Sequence, residues 1–315
     1  MLLGAVAVTL LAGCGGEPKQ VVNPGDSEDS AAVAEYDPSR EPSAAVLSLV
    51  PDDATTLQVT DFDQIRLSLG FGSLTGRAPE AERAAFWRRF GTTASFSDGL
   101  LRPVEGRLGR LGLHQDDVAW EATYTGDADG WVMAFHPKVP ADRISRAIRA
   151  GIGPLRGASF DAERGIVSSA ELPDPGDSWA AVDGLPDLVG RQANATYVER
   201  GCVPLDDIYG DGIVDQLGGQ TKVDVAGLRE LDTYSVALGD ELATIQLGPD
   251  RSDGFTRLRL YQHLPELQPD FGAVFERGAA DPGSGRLGYD IPRPDVAADW
   301  VRERRLPFAA CDVAV

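Results

Sequence analysis

Lysine is nearly missing from this chain. Only Lys19, Lys138 and Lys222 are lysine among 29 basic residues in 315, against 49 acids, for a formal net charge of −20. Such an excess keeps a protein soluble and repels phosphate polymers and anionic headgroups, so nucleic acid is not an expected partner of the body. Histidine is also scarce. His114, His136 and His263 lie far apart, and none has a His or Cys two to four residues away, so the spacing gives a zinc site no support. No G-x-S-x-G, H-E-x-x-H or S-x-x-K occurs, which removes three local hydrolase signatures. A triad gathered from distant residues stays open, because triads are recognised by geometry. Aromatics make up 7%, and Trp87, Trp120, Trp131, Trp179 and Trp300 are scattered, so no stripe points to sugar or base stacking.

Charge is absent altogether from residues 1 to 14, "MLLGAVAVTLLAGC". This apolar run is shorter than the roughly 20 residues that span a bilayer and reads as the h-region of a signal peptide. Leu11, Ala12, Gly13 and Cys14 match the lipobox of bacterial lipoproteins at each of its four positions. No Lys or Arg precedes Lys19, whereas a secretory signal normally opens on one. The resemblance implies removal of residues 1–13, a diacylglyceryl group on the Cys14 thiol, and a home on the extracytoplasmic face of a cell membrane. With its arginine bias and abundant Ala, Gly and Asp, the chain resembles uncharacterised lipoproteins of high-GC Gram-positive bacteria. Several acyl chains would make the anchor durable, since one chain alone binds marginally. Residues 15–41 are rich in Gly, Pro, Ser and acids, with seven carboxylates against Lys19 and Arg40. They read, with Cys14, as a disordered tether spanning roughly 30 Å.

With Cys14 lipidated, Cys202 and Cys311 remain. In an oxidising compartment an even remainder of two allows one connectivity, Cys202–Cys311. Such a bond would close a loop of roughly 110 residues and contribute about 3–5 kcal/mol on the chain-entropy account. It would pin a last strand, "FAACDV", against "YVERGCVPL". Two buried free thiols are the competing reading.

The body reads as α+β, mostly antiparallel sheet with helices packed on one face. "TTLQVTDF" (55–62) alternates as a strand, and "APEAERAAFWRRF" (78–90) as a helix with Phe86, Trp87 and Phe90 on one side. "VAWEATYT" and "WVMAFHP" flank "GDADG" as a hairpin. "VPADRISRAIRAGIG" then places Ile144, Ile148 and Ile152 at helical spacing, and "GIVSS" returns as a strand. Further on, "TYSVALG", "ELATIQLG" and "FTRLRLYQ" read as a meander, followed by a strand, a Pro-flanked helix and a strand. "AFHPKVPADRISRAI" and "GYDIPRPDVAADWV" share a plan, which implies two similar halves, 42–170 and 179–315, with "AELPDPGDS" (170–178) between them.

Three loops carry the remaining chemistry. "GSGRLG" (283–288) has dinucleotide spacing but no strand before it or helix after it, so it reads as a turn. "GFGSLTG" (70–76) lies between strand and helix without a following Gly-Lys-Ser/Thr, and reads as a loop before a phosphate cradle. "LDDIYGDGIVDQLGG" sets Asp207, Asp211 and Asp215 around a glycine as a calcium candidate, although position 12 counted from Asp207 is Gly218, not Glu. No cofactor is indicated. The reading that results is a lipid-anchored binding or interaction module whose ligand is a small molecule, a lipid or an envelope protein. An envelope hydrolase with dispersed catalytic residues and an accessory lipoprotein of a complex are the alternatives.

Overall fold

The computed structural model describes residues 35–127, 129–210, 227–263 and 270–311. Cys14, Asp211 and Asp215 lie outside the described residues. One sheet of ten antiparallel strands organises the body, in the order β4-β5-β3-β2-β1-β6-β7-β8-β10-β9. The first five are β1 (Thr56–Asp61), β2 (Val118–Thr125), β3 (Gly130–Phe135), β4 (Ser159–Asp161) and β5 (Ile166–Ser168). The second five are β6 (Ala195–Arg200), β7 (Thr233–Leu238), β8 (Leu242–Gln246), β9 (Glu276–Asp281) and β10 (Arg286–Asp290).

Nine helices are found among the described residues. These are α1 (Pro42–Ala45), α2 (Phe62–Ser68), α3 (Glu80–Phe90), α4 (Glu105–Leu108), α5 (Ala141–Arg149) and α6 (Leu205–Tyr209). The last three are α7 (Gly254–His263), α8 (Phe271–Val274) and α9 (Pro294–Arg302). Helix α3 starts on Glu80 and Glu82 and ends on Arg88 and Arg89, which suits the helix dipole at both ends. None of these helices is long and apolar enough to cross a membrane.

Strand alternation sorts the core into faces. On the helical face, Met133, Phe135 and Val167 meet Phe62, Ile65, Phe86, Phe90 and Ile144 from α2, α3 and α5. Farther along the same face, Tyr197, Tyr234, Val236, Ile245 and Leu287 meet α7, α8 and α9. On the other face, Leu57, Val59, Trp120, Ala122 and Val132 are covered by Val46, Leu47, Leu49 and Trp179. Trp179 is fully buried; its backbone N–H donates to the Val50 carbonyl at 2.9 Å and its ring N–H to the Ala54 carbonyl at 3.1 Å. The segment after β5 is therefore packed cover on the first half of the sheet.

Three expectations change. "FTRLRLYQ" is helix α7 and not a strand. Its Leu258 and Leu260 imitate alternation, but burial falls on Asp253, Gly254, Arg257, Leu258 and Leu260, the spacing of a helix face. Of "FAACDV", the described residues 308–311 form the end of a short 3₁₀ turn, Pro307–Ala309, followed by a parallel bridge from Ala310 to Val203. The helix that matches α5 in position is α7, and not α9. Each half places its matching helix between its third and fourth strands, while α9 follows the tenth strand as an addition. "GSGRLG" opens on the β9–β10 turn, where a Cβ on Gly285 would collide with the Gly248 carbonyl.

Cys202 and Cys311 are disulfide-bonded, with Cα atoms 4.9 Å apart and a sequence separation of 109.

Candidate functional site

The segment "HQDD", His114 to Asp117, stands just before β2 and holds four separate parts of the first half. His114 Nδ1 lies 2.6 Å from Glu105 Oε1. Gln115 accepts the Leu101 N–H at 2.8 Å and donates to Glu121 at 2.8 Å. Asp116 accepts the Trp87 ring N–H at 2.9 Å and pairs with Arg83. Asp117 accepts the Gly76 N–H through Oδ1 at 3.0 Å and the His114 N–H through Oδ2 at 3.0 Å, while its carbonyl takes the His136 N–H at 3.0 Å. One aspartate thus ties the glycine-rich loop to the turn after β3.

Between those two walls lies a cleft of about 380 Å³. Residues 72–77 form one side, the turn 136–140 forms the other, and Asp117 and Arg143 complete it. Gly76 is required by close approach, because a Cβ would stand 2.6 Å from Asp117 Oδ2 and 2.7 Å from the His114 side chain. The turn is closed by the Val139 N–H on the His136 carbonyl at 2.9 Å and leads through Pro140 into α5. Arg77, Lys138 and Arg143 line the cleft against the single carboxylate of Asp117, and none of the three makes an ion pair among the described residues. Arg143 donates to the Gly112 carbonyl at 3.0 Å.

Behind the cleft wall, Arg66 is 1% exposed and its Nη2 lies 3.2 Å from His136 Nε2. The same guanidinium bonds Asp63 at 2.9 Å and also donates to the Val118 carbonyl, whereas its Nη1 has no partner among the described residues. Burial, with Arg66 and Lys138 close by, holds the His136 imidazole below its ordinary range, although Asp63, at 3.3 Å, and Asp117 pull the other way. The ring is then largely neutral near neutral pH. No hydroxyl or thiol hydrogen-bonds His136 or His114 among the described residues, so neither sits in a nucleophile–base pair.

Two other clefts are less suited to a ligand. One of about 590 Å³ runs over Arg83, Trp87, Arg102 and Glu105, where Arg83 and Glu105 pair with each other and Arg102 stacks 4.2 Å from the Trp87 ring. Another of about 370 Å³ at the β4 edge is lined by Glu35, Asp161, Glu171 and Asp174 with Arg164 and Tyr36. No group of three or more His, Cys, Asp or Glu disposed to hold a metal occurs among the described residues. The Asp207 carboxylate of the calcium candidate bonds Arg304 at 3.1 Å, and Arg304 also holds the buried Glu199. Tyr197 and Tyr234 donate to that same Glu199, at 2.8 and 2.5 Å, so the cluster beside the disulfide is internally satisfied. His263 ends α7 and holds no place equivalent to His136.

Sequence reading singled out "GFGSLTG" and His136 separately. It missed Asp117, Arg66 and the cations at 77 and 143, which lie in unrelated local patterns and converge only in the fold. The doubled acid after a histidine, "HQDD", is the one local signal available. The chain matches no protein-family model, and no curated protein or solved structure shows significant similarity to it.

Proposed function

We propose that this chain is a lipid-anchored, extracytoplasmic binding module that presents its first-half cleft to a small-molecule ligand. Cys14 carries the anchor and the residues after it the tether, which ends where Tyr36 packs on the core and Glu41 opens α1, so the cleft works within reach of a membrane surface. The observation that carries the binding role is the 380 Å³ cleft with three cations unspent on carboxylates. Small-molecule sites are typically concave, of a few hundred Å³, with few convergent polar groups.

Hydrolysis is less well supported, because neither described histidine side chain is poised beside a nucleophile. An accessory role through an apolar surface is also less well supported. Among the described residues the large exposed apolar side chains, Leu67, Leu242 and Phe255, stand singly on α2, β8 and α7.

Native mass spectrometry of the full chain released from membranes in a neutral detergent tests the module. A non-covalent small molecule retained at one per chain is the expected result, lost when Asp117→Ala unties the two walls. A chain that carries no small molecule, and binds none from a metabolite extract, argues against it. Radiolabelled palmitate tests the anchor: incorporation is expected, and loss in Cys14→Ser. Absence of label where a control lipoprotein is labelled removes the anchor.

A further inference from the structure

We propose that the first-half cleft is an oxyanion site that takes the phosphate group of a small molecule. The assignment rests on reading the cleft as a binding site, and names the chemistry it recognises. In a chain of net charge −20, this lining sets Arg77, Lys138 and Arg143 against Asp117 alone. Both Asp117 oxygens already accept backbone N–H groups, from Gly76 and His114, so its charge is partly spent on holding the walls. Lys138 is one of only three lysines, and it stands on the turn that leads into α5.

The backbone points the same way. Helix α5 has nine residues, begins beside the cleft at Pro140, and no side chain caps its first turn. An uncapped first turn leaves N–H groups and the positive end of the dipole available to an anion. Across the cleft, residues 72–75 form a glycine-containing loop of the kind that lets backbone approach a phosphate closely. Cations from the loop after α2, the turn after β3 and the first turn of α5 therefore line one concave space beside an uncapped helix start. Asp63, beside His136, and Asp142, in the first turn of α5, are opposing carboxylates outside the lining, and both are exposed. Leu74, Val139 and the ring carbons of Pro137 and Pro140 leave apolar wall for the remainder of a phosphate ester.

Isothermal titration of the full chain in neutral detergent, with inorganic phosphate and with glycerol phosphate, tests the assignment. Saturable one-to-one binding is expected. Lys138→Gln should weaken it by about tenfold, and Arg77→Gln with Lys138→Gln by roughly a hundredfold, as loss of charge-assisted hydrogen bonds implies. Lys138 and Arg77 are exposed, so an unchanged melting temperature separates lost binding from lost fold. Arg149→Gln, at the far end of α5, should bind like the parent chain. A vesicle arm identifies the source of the phosphate. Phosphatidylglycerol vesicles that compete with glycerol phosphate assign a lipid headgroup, and vesicles without effect assign a soluble ester. Unchanged affinity in the double variant, or no binding of either phosphate, overturns the assignment. A neutral molecule retained in native mass spectrometry alongside that failure would leave the binding module standing without its oxyanion.

Discussion

Strands β1 to β5 and β6 to β10 follow the same spatial order outward from the β1–β6 seam, each half ending in a hairpin reached through a helix. The corner where the third strand of each half turns into that helix shows how far they diverge. In the first half this corner is the turn 136–140, open, with Lys138 and Arg143 free of carboxylates. In the second half it is filled by Asp253, which is 4% exposed and bonds Arg251 at 3.0 Å and Arg257 at 2.7 Å. Those guanidiniums in turn donate to the carbonyls of Arg229, Glu230, Phe308 and Ala310. One corner saturates its charges to hold chain segments together; the other leaves its cations without a carboxylate partner among the described residues. The halves also differ on the non-helical face. The first is covered by Trp179 and residues 46–50, while the second shows Thr244, Gln246 and Arg286.

The disulfide lies wholly in the second half and encloses β7 to β10, so the largest effect is expected there. Replacing both cysteines, Cys202→Ser with Cys311→Ser, should lower unfolding free energy by close to 5 kcal/mol for a loop of about 110 residues. Urea denaturation measures it, and a loss under about 1 kcal/mol would remove the crosslink from the comparison. Asp253→Ala comes next, at about 4 kcal/mol, because it removes the buried carboxylate that Arg251 and Arg257 share. Lys138→Gln in the matching corner should stay within about 0.5 kcal/mol, as an exposed and unpaired cation contributes little to the fold. Equal costs at the two corners would show that the first is structural after all.

How much of this was legible without the fold follows from periodicity. "VAWEATYT", "WVMAFHP" and "TYSVALG" alternate clearly, and each forms a strand close to its expected bounds. β9, "ERGAAD", was not visible, because an exposed edge strand needs neither β-branched residues nor an apolar face. Helix α7 was misread because Leu258 and Leu260 stand two apart, while its anchoring residue, Arg257, is polar and buried by a pair that no local pattern announces. The repeat in the sheet was legible as a habit of the chain but not in register: the prolines drew α9 into a comparison that belongs to α7. The cleft was legible only in fragments, since Gly76, Asp117 and His136 become neighbours through β1, β2 and β3 pairing side by side.

A local effect also separates the halves by pH. Glu41 opens α1, at the start of the first-half cover, and its carboxylate accepts the Ser43 N–H at 2.8 Å. Burial pushes it from 4.5 up to about 7 against the Ser43 hydrogen bonds, and the charge of Asp61 adds to the rise. Asp61 itself is pushed by burial from 3.8 up to about 6. For an acid raised by folding, the native state binds the proton more tightly than the unfolded chain. Its contribution is therefore complete below pH 3.8 to 4.5 and is lost as pH climbs through 6 to 7. Asp253 behaves in the opposite sense. Burial pushes it upward, but bonds from Arg251 and Arg257 outweigh that and hold it below 3.8, so its contribution is lost only in stronger acid. Hydrogen exchange corrected for intrinsic rate should show amides at 43–50 and 56–61 losing protection between pH 5 and pH 8. Amides at 254–263 should hold theirs across that range and lose it below pH 4. Glu41→Gln should remove much of the alkaline loss in the first half and leave the second untouched. Parallel loss in both halves would mean that the shared sheet opens as one cooperative unit, and that the chemical difference between its corners does not reach its local stability.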